Sequence, residues 1–170
     1  MEPPFSFPRY GAAMTVRSLT PGECDMAREM FGDAIDCAPV RIWAQPFGFG
    51  RIFVAGRWFG RDWIVWPKAT LLPDYSAPDV PVAKAAILIH ELVHVWQAQR
   101  GVNLAFAKLR AGDGPQCYAY EIRDGTRWDG LNIEQQAMAV EDEFRRRRAG
   151  RVGPAEGLSA AYRRICPFAT

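Results

Sequence analysis

The stretch between Pro81 and Gly101 constrains the fold of this chain more than any other part of the sequence. Residues 82–100 contain neither proline nor glycine, Pro81 suits a first helical turn, and Asp79 can cap the helix. Apolar side chains lie around almost the whole circumference of this helix, at positions 82, 87, 88, 89, 92, 93, 95 and 96. We therefore predict a central, buried helix over residues 82–100.

The segment before this helix predicts a short β-sheet. Alternating apolar residues indicate strands at residues 40–44 and 62–66, and Pro67 ends the second of them. The short apolar segments at residues 51–54 and 57–59 do not indicate which type of secondary structure they form. We expect the sheet to pack on the central helix.

The remaining elements complete the prediction of an α+β domain with a helical C-terminal part. Further helices are predicted at residues 21–30, 102–111, 132–148 and 154–164. A short strand is expected within residues 117–122. Residues 1–20 contain prolines and aromatic residues without periodicity, so we expect an irregular N-terminal arm followed by a single domain over 21–170.

Composition excludes several classes of protein. With 170 residues, 49% of them hydrophobic, the chain suits one globular domain, and its net charge of +2 gives no strong field for nucleic acid or anionic lipid. The longest strictly apolar run, residues 85–89, is far too short for a membrane span. The first residues lack a Sec-type signal peptide, so we expect a cytoplasmic protein or one exported without that signal. The four cysteines form no C-x-x-C pair, and reduced thiols are expected.

The chemistry of the chain is concentrated in the central helix, which contains the pattern H-E-x-x-H at residues 90–94. His90 and His94 share a helical face, so both imidazoles can bind one metal ion, while Glu91 can take a proton from water. That division of labour is the one zinc hydrolysis needs. The chain has only two histidines, and both are in the motif. The alternative is a pair of core histidines satisfied by the backbone, which requires partners for three polar groups on an apolar helix.

A third ligand must come from elsewhere, because the chain has no third histidine. Our candidate is Glu134, which lies at one border of the apolar stripe of the predicted helix over residues 132–148. The alternative for Glu134 is an acid in a first helical turn that complements the helix dipole. Glu141 or Asp142 is expected to orient a histidine N–H instead.

Two further features concern catalysis and substrate. Tyr120, or its neighbour Tyr118, could donate a hydrogen bond to an oxyanion, although packing of a half-buried tyrosine is the competing interpretation. We also expect residues 63–66 to form an edge strand that pairs with an extended substrate. The run Arg145–Arg148 is interpreted as a solvated helix end rather than a nucleic-acid site.

Several motifs resemble known families. His90–Gln97, HELVHVWQ, resembles the helix of gluzincin-type zinc peptidases, and Glu134–Ala137 resembles their E-x-x-A pattern. Residues 26–42 resemble a metallopeptidase-like domain family associated with extracellular contractile injection systems, and residues 131–144 are similar to the tail of bacterial proteins called Vgr-related. The similarity covers roughly residues 22–144. One departure is Trp43, where the family usually has histidine.

The resemblance implies a small zincin-like domain that hydrolyses peptide bonds with Zn²⁺. In this interpretation His90, His94 and Glu134 bind the metal, Glu91 is the general base, and Tyr120 assists. A peptide or protein substrate is implied, with a secretion or contractile injection apparatus as a partner, and neither nucleic acid nor membrane is expected as a partner. The competing hypothesis is a non-catalytic module of such an apparatus with a structural or vestigial zinc site.

Overall fold

The computed structural model describes residues 15–46, 50–112, 114–150 and 154–169. It confirms a mixed α+β architecture with one four-stranded sheet. The strands are β1 (Thr15–Ser18), β2 (Val40–Gln45), β3 (Phe53–Trp58) and β4 (Arg61–Pro67), in the order β1-β2-β4-β3. β2 and β4 are parallel, and the two outer strands run antiparallel to their neighbours.

Five helices accompany the sheet in the described residues. They are α1 (Pro21–Phe31), α2 (Val82–Gln99), α3 (Leu104–Ala111), α4 (Ile133–Ala149) and α5 (Pro154–Ile165). All five helices predicted from the sequence are therefore confirmed to within a few residues. None of the described helices is long and apolar enough to cross a membrane.

The central helix α2 forms the middle of the core, as its apolar circumference predicts. Leu88, Ile89, Leu92 and Val93 are fully buried, between the sheet on one side and α4 on the other. The expected cap is wrong: the residue before the helix is Pro81, and no side chain caps this end. Burial of apolar surface, rather than capping, therefore stabilises α2.

Two expectations for the less regular segments are corrected by the structure. Thr15–Ser18, assigned to an irregular arm, pairs with the outer edge of β2, and only residues 1–14 of that arm lie outside the described residues. Residues 117–122 form no strand. Instead, the carbonyls of Cys117 and Ala119 accept hydrogen bonds from the side chains of Asn132 and Gln135, which fasten this segment to the start of α4.

The expected edge strand at residues 63–66 is also wrong. These residues belong to β4, which is hydrogen-bonded to β2 on one side and to β3 on the other. The edge beside α2 and α3 is β3, whose pairing is interrupted by a bulge between Val54 and Gly56. Gly56 has a φ of +91°, a conformation that a side chain would disfavour, so the glycine permits this bulge. The irregularity explains why the sequence did not identify β3.

Candidate metal centre

The packing of α2 against α4 brings three of the predicted residues together. The Nε2 atoms of His90 and His94 each lie 3.4 Å from the same carboxylate oxygen, Oε2 of Glu134. One ligand atom from each residue lies within 4.8 Å of the other two. Glu134 and His94 are buried, and His90 is nearly so.

The local structure of α4 explains why Glu134 faces inward. Asn132 caps the helix, with its Oδ1 accepting hydrogen bonds from the N–H groups of Glu134 and Gln135, and the side chain of Gln135 accepts from the Asn132 N–H in return. One turn further on, Ala137 and Val140 are completely buried against α2. The capping box and this apolar stripe together fix the rotation of the helix, so that Glu134 points at the histidines.

Gln97 determines the tautomer of His94. The Nε2 group of Gln97 donates to the carbonyl of Ile133 at 3.2 Å and to Oε1 of Gln136 at 2.9 Å. Its Oε1 therefore faces Nδ1 of His94, at 2.8 Å, and can only accept a hydrogen bond. Nδ1 of His94 is thus the protonated nitrogen, and the lone pair of Nε2 faces Glu134.

Glu141 orients His90 in a similar way. Its Oε2 lies 3.0 Å from Nδ1 of His90, while its Oε1 accepts a hydrogen bond from Nε of Arg145 at 3.1 Å. A carboxylate at Nδ1 places a proton there and directs Nε2 towards Glu134. The sequence analysis assigned this orienting role to Glu141 or Asp142, and in the structure Glu141 is the residue in contact with the imidazole.

Two of the three distances between the ligand atoms fit a tetrahedral zinc ion. Ligand atoms at about 2.0–2.1 Å from such an ion are about 3.3–3.4 Å apart. The two Nε2–Oε2 distances of 3.4 Å match that spacing. Two nitrogen lone pairs and an anionic oxygen converge, and each imidazole is hydrogen-bonded on its far side, as ligating histidines usually are.

The charges in this cluster also favour a cation. Burial opposes protonation of His90, but its hydrogen bonds to Glu134 and Glu141 raise its pKa to about 9. Burial would raise the pKa of Glu134, yet its contact with His90, the nearby His94 and the charge of Lys108 hold it well below its usual range. In the metal-free protein a proton therefore lies between His90 and Glu134, at the place where a metal ion would bind.

Glu91 is buried beside this cluster, and no residue in the described part of the chain pairs with its Oε2. Its side chain is 6% exposed. Burial raises its pKa, while the nearby His94 and His90 partly oppose that effect. A buried carboxylate oxygen without a hydrogen-bond partner is costly for stability, and this one lies beside the candidate metal ligands.

The structure does not bring Tyr120 into the cluster. Its hydroxyl donates to Oδ2 of Asp142 at 2.7 Å and is therefore used outside the cluster. The pKa of Tyr118 is raised by burial and, next in size, by the charge of Glu134. Tyr118 is therefore close enough to the cluster to be influenced by this carboxylate. The assistance of either tyrosine stays a prediction.

Sequence reasoning missed Lys108 of α3. Its Nζ lies 3.2 Å from Oε1 of Glu134, the oxygen that does not face the histidines. Burial lowers its pKa, but the contact with Glu134 and the charges of Glu134 and Glu91 together outweigh burial and raise it. In the sequence this residue resembles any basic side chain near a helix C-terminus, and nothing local indicates its contact with α4.

A groove leads to the cluster along the edge strand. It has a volume of about 600 Å³ and runs between β3 and the segment from the end of α2 to Lys108. At its inner end, a cavity of about 20 Å³ is lined by Val54, His94, Leu104, Lys108, Ile133 and Glu134. The groove and this cavity share Val54, Leu104 and Lys108, so the candidate metal centre adjoins the groove along β3.

Comparison with known proteins points to one relative. The type VI secretion system spike protein VgrG2b of Pseudomonas aeruginosa is 31% identical over 75% of this chain, which spans 13% of the length of that protein. The solved effector domain of P. aeruginosa VgrG2b has a TM-score of 0.65 and 26% identity, and the match covers 90% of this chain and 83% of that domain. The chain is homologous to this effector domain. No protein-family model matches.

The homology links the chain to the Vgr-related proteins of type VI secretion, and it supports the expected bacterial secretion context. The relative is named as a spike protein and its domain as an effector domain. Neither name states an activity or a metal.

Proposed function

We propose that this chain is a zinc-dependent peptidase domain with a zincin-like fold, acting as an effector associated with a type VI secretion apparatus. The observation that carries the proposal is the convergence of His90 Nε2, His94 Nε2 and Glu134 Oε2, with the unpartnered Glu91 beside them. His90, His94 and Glu134 would hold the zinc ion. When bound, it would supply Lewis-acid chemistry that activates water and polarises a carbonyl.

The residues of the chain then divide the remaining work. Glu91 accepts a proton from the attacking water and passes it to the leaving amine, so the carboxylate is unchanged after the cycle. Glu141 and Gln97 hold the two imidazoles in the orientation that directs Nε2 to the metal. Burial of the cluster excludes bulk water and strengthens these electrostatic interactions.

The edge strand suggests how a peptide is held. β3 is hydrogen-bonded to β4 on one side, and its other side borders the groove that ends at His94 and Glu134. An extended peptide could add to this edge through main-chain hydrogen bonds, which recognise any sequence. This role belongs to β3 rather than to residues 63–66, which the sequence analysis favoured.

The competing hypothesis is a non-catalytic module of the secretion apparatus with a structural zinc site. Structural zinc sites have four protein ligands, whereas this cluster offers three among the described residues. A structural site also has no use for a buried, unpartnered carboxylate such as Glu91.

The test is hydrolysis of a broad peptide library by the zinc-loaded chain and by Glu91→Gln. Glutamine keeps the shape of the side chain but cannot take a proton. We expect turnover to fall at least about a hundredfold, while zinc content and melting temperature stay near wild type. A wild type that holds zinc and cleaves no peptide would favour the structural module. A Glu91→Gln variant as fast as wild type would refute the assigned base.

A further inference from the structure

Lys108 lies between the groove along β3 and the cluster of His90, His94 and Glu134. It lies on α3, and its ammonium contacts Oε1 of Glu134 at 3.2 Å while 44% of the side chain is exposed. It lines both the groove beside β3 and the small cavity that also contains His94 and Glu134. It therefore faces the place where a bound peptide would meet the cluster.

The ammonium of Lys108 can donate hydrogen bonds to a further partner. A lysine carries three N–H donors, and its 3.2 Å contact with Oε1 of Glu134 is an ion pair that leaves this oxygen without a hydrogen-bond partner among the described residues. Among the lysines and arginines of the described residues, Lys108 forms an ion pair with Glu134, whereas Arg145 pairs with Glu141. The ion pair fixes the position of the ammonium, and its exposed side can donate to a ligand in the groove.

Hydrolysis of an amide needs such a donor. When water adds to the carbonyl carbon, the C=O π electrons move to oxygen, which becomes negatively charged. The chain has no further histidine that could stabilise this charge, and the hydroxyl of Tyr120 is used by Asp142. A fixed positive charge in a partly desolvated site is a strong stabiliser of an oxyanion.

We propose that Lys108 is a catalytic residue that donates a hydrogen bond to the carbonyl oxygen of the substrate as that oxygen becomes an oxyanion. This inference rests on the peptidase function proposed above. The C–O bond to water forms while Glu91 takes the water proton. An electron pair of the oxyanion then re-forms the C=O bond, the C–N bond breaks with its electron pair leaving on the nitrogen, and the proton goes from Glu91 to that amine. Lys108 keeps its own protons throughout.

Binding and kinetics of Lys108→Met test the proposal, with Lys108→Arg as the conservative variant. Arg110→Met is the matched control, because Arg110 lies on the same helix and does not line the groove beside β3. We expect Lys108→Met to lower kcat about 100- to 1,000-fold with little change in KM, the range for loss of an oxyanion donor. Lys108→Arg should recover part of the rate, and zinc content should stay near one per chain in all variants.

A binding measurement keeps the proposal testable without a known cleavage site. The probe is N-phosphoryl-leucyl-phenylalanine, whose tetrahedral phosphoryl group imitates the oxyanion. The zinc-loaded wild type and Arg110→Met should bind it alike, and Lys108→Met should bind it about 10- to 100-fold more weakly. Equal affinity for Lys108→Met and wild type, or no binding by wild type, would overturn the role of Lys108. Peptide cleavage that persists in Lys108→Met would overturn it too, while leaving the proposed peptidase function intact.

Discussion

Two buried glutamates, Glu23 and Glu134, differ in the partners that surround their carboxylates. Glu23 is fully buried, and each of its oxygens accepts two hydrogen bonds. The guanidinium of Arg17 donates to both oxygens at 2.7 and 2.8 Å, and the N–H groups of Thr20 and Tyr75 each donate at 2.9 Å. Donors match acceptors, so this carboxylate joins β1, α1 and the loop that follows β4.

Glu134 is as deeply buried, with 1% of its surface exposed, but its surroundings do not match it in this way. One oxygen meets two imidazole nitrogens at 3.4 Å, and the other meets Lys108 at 3.2 Å. Both imidazoles already have acceptors at Nδ1. Burial alone therefore does not identify a functional acid. Glu23 has a complete set of hydrogen-bond donors, whereas the side chains around Glu134 converge on a position that suits a cation.

The largest effect that separates the two sites is expected from Glu23→Ala. Removing Glu23 leaves Arg17 without its partner and deletes half of the capping box of α1, so we expect a loss of about 3–5 kcal/mol in the free energy of unfolding. Denaturant unfolding measures it, with Asp25→Ala as the control, because its exposed pair with Arg28 should contribute about 0–1 kcal/mol. If Glu23→Ala weakened zinc binding without loss of stability, the two sites would not be distinct.

The converse variant is Glu134→Ala, compared with Glu141→Ala. Loss of a ligand removes a bond to the metal, so we expect zinc affinity to fall by more than about a hundredfold for Glu134→Ala. Glu141 contacts His90 rather than the metal position, and its loss should cost about 10- to 100-fold. Competition with a chromophoric chelator ranks the two variants. The opposite ranking would show that Glu141, and not Glu134, is the ligand.

A smaller effect is expected for Gln97, which selects the tautomer of His94. Gln97→Leu should weaken zinc binding about 10-fold, near the lower end of the range for residues that orient a ligand, because nothing then holds the Nδ1 proton. Gln99→Leu is the control, since Gln99 lies on the same helix but contacts Asp36 and Asp62. Equal zinc affinities for the two variants would show that Gln97 does not support zinc binding through His94.

A different kind of effect concerns pH in the metal-free protein. Folding raises the pKa of His90 from 6.5 to about 9, so its contribution to stability is complete below pH 6.5 and is lost as pH rises through 9. We expect the melting temperature of the chelator-treated protein to decrease between pH 6.5 and 9, and the zinc-loaded protein not to share this decrease. His90→Asn, without zinc, should abolish it. Parallel pH profiles with and without zinc would mean that proton and metal do not compete at His90.

The sequence predicted those parts of the molecule that depend on local signals. Asn132 and Gln135 form the capping box expected for α4, and Gly101 lies just beyond the C-terminus of α2, where the sequence placed its end. The pairing of His90 with His94 follows from helical periodicity alone. Each of these features requires only neighbours within a few residues along the chain.

The parts that the sequence did not predict depend on contacts between distant segments. Thr15–Ser18 is a strand because β2 offers it a free edge, and residues 117–122 are not one because Asn132 and Gln135 bind their carbonyls. Lys108 reaches Glu134 only through the packing of α3 on α4. Such contacts leave no periodic signal in the sequence, so they become visible only in the structure.

We propose that His90, His94 and Glu134 bind one zinc ion. The most direct test is a crystal of the zinc-reconstituted chain measured on both sides of the zinc absorption edge, combined with metal analysis. We predict one anomalous peak per chain, about 2.0–2.1 Å from Nε2 of each histidine and about 2.0–2.2 Å from an oxygen of Glu134. Absence of zinc after reconstitution, or a peak away from these three atoms, would contradict the account.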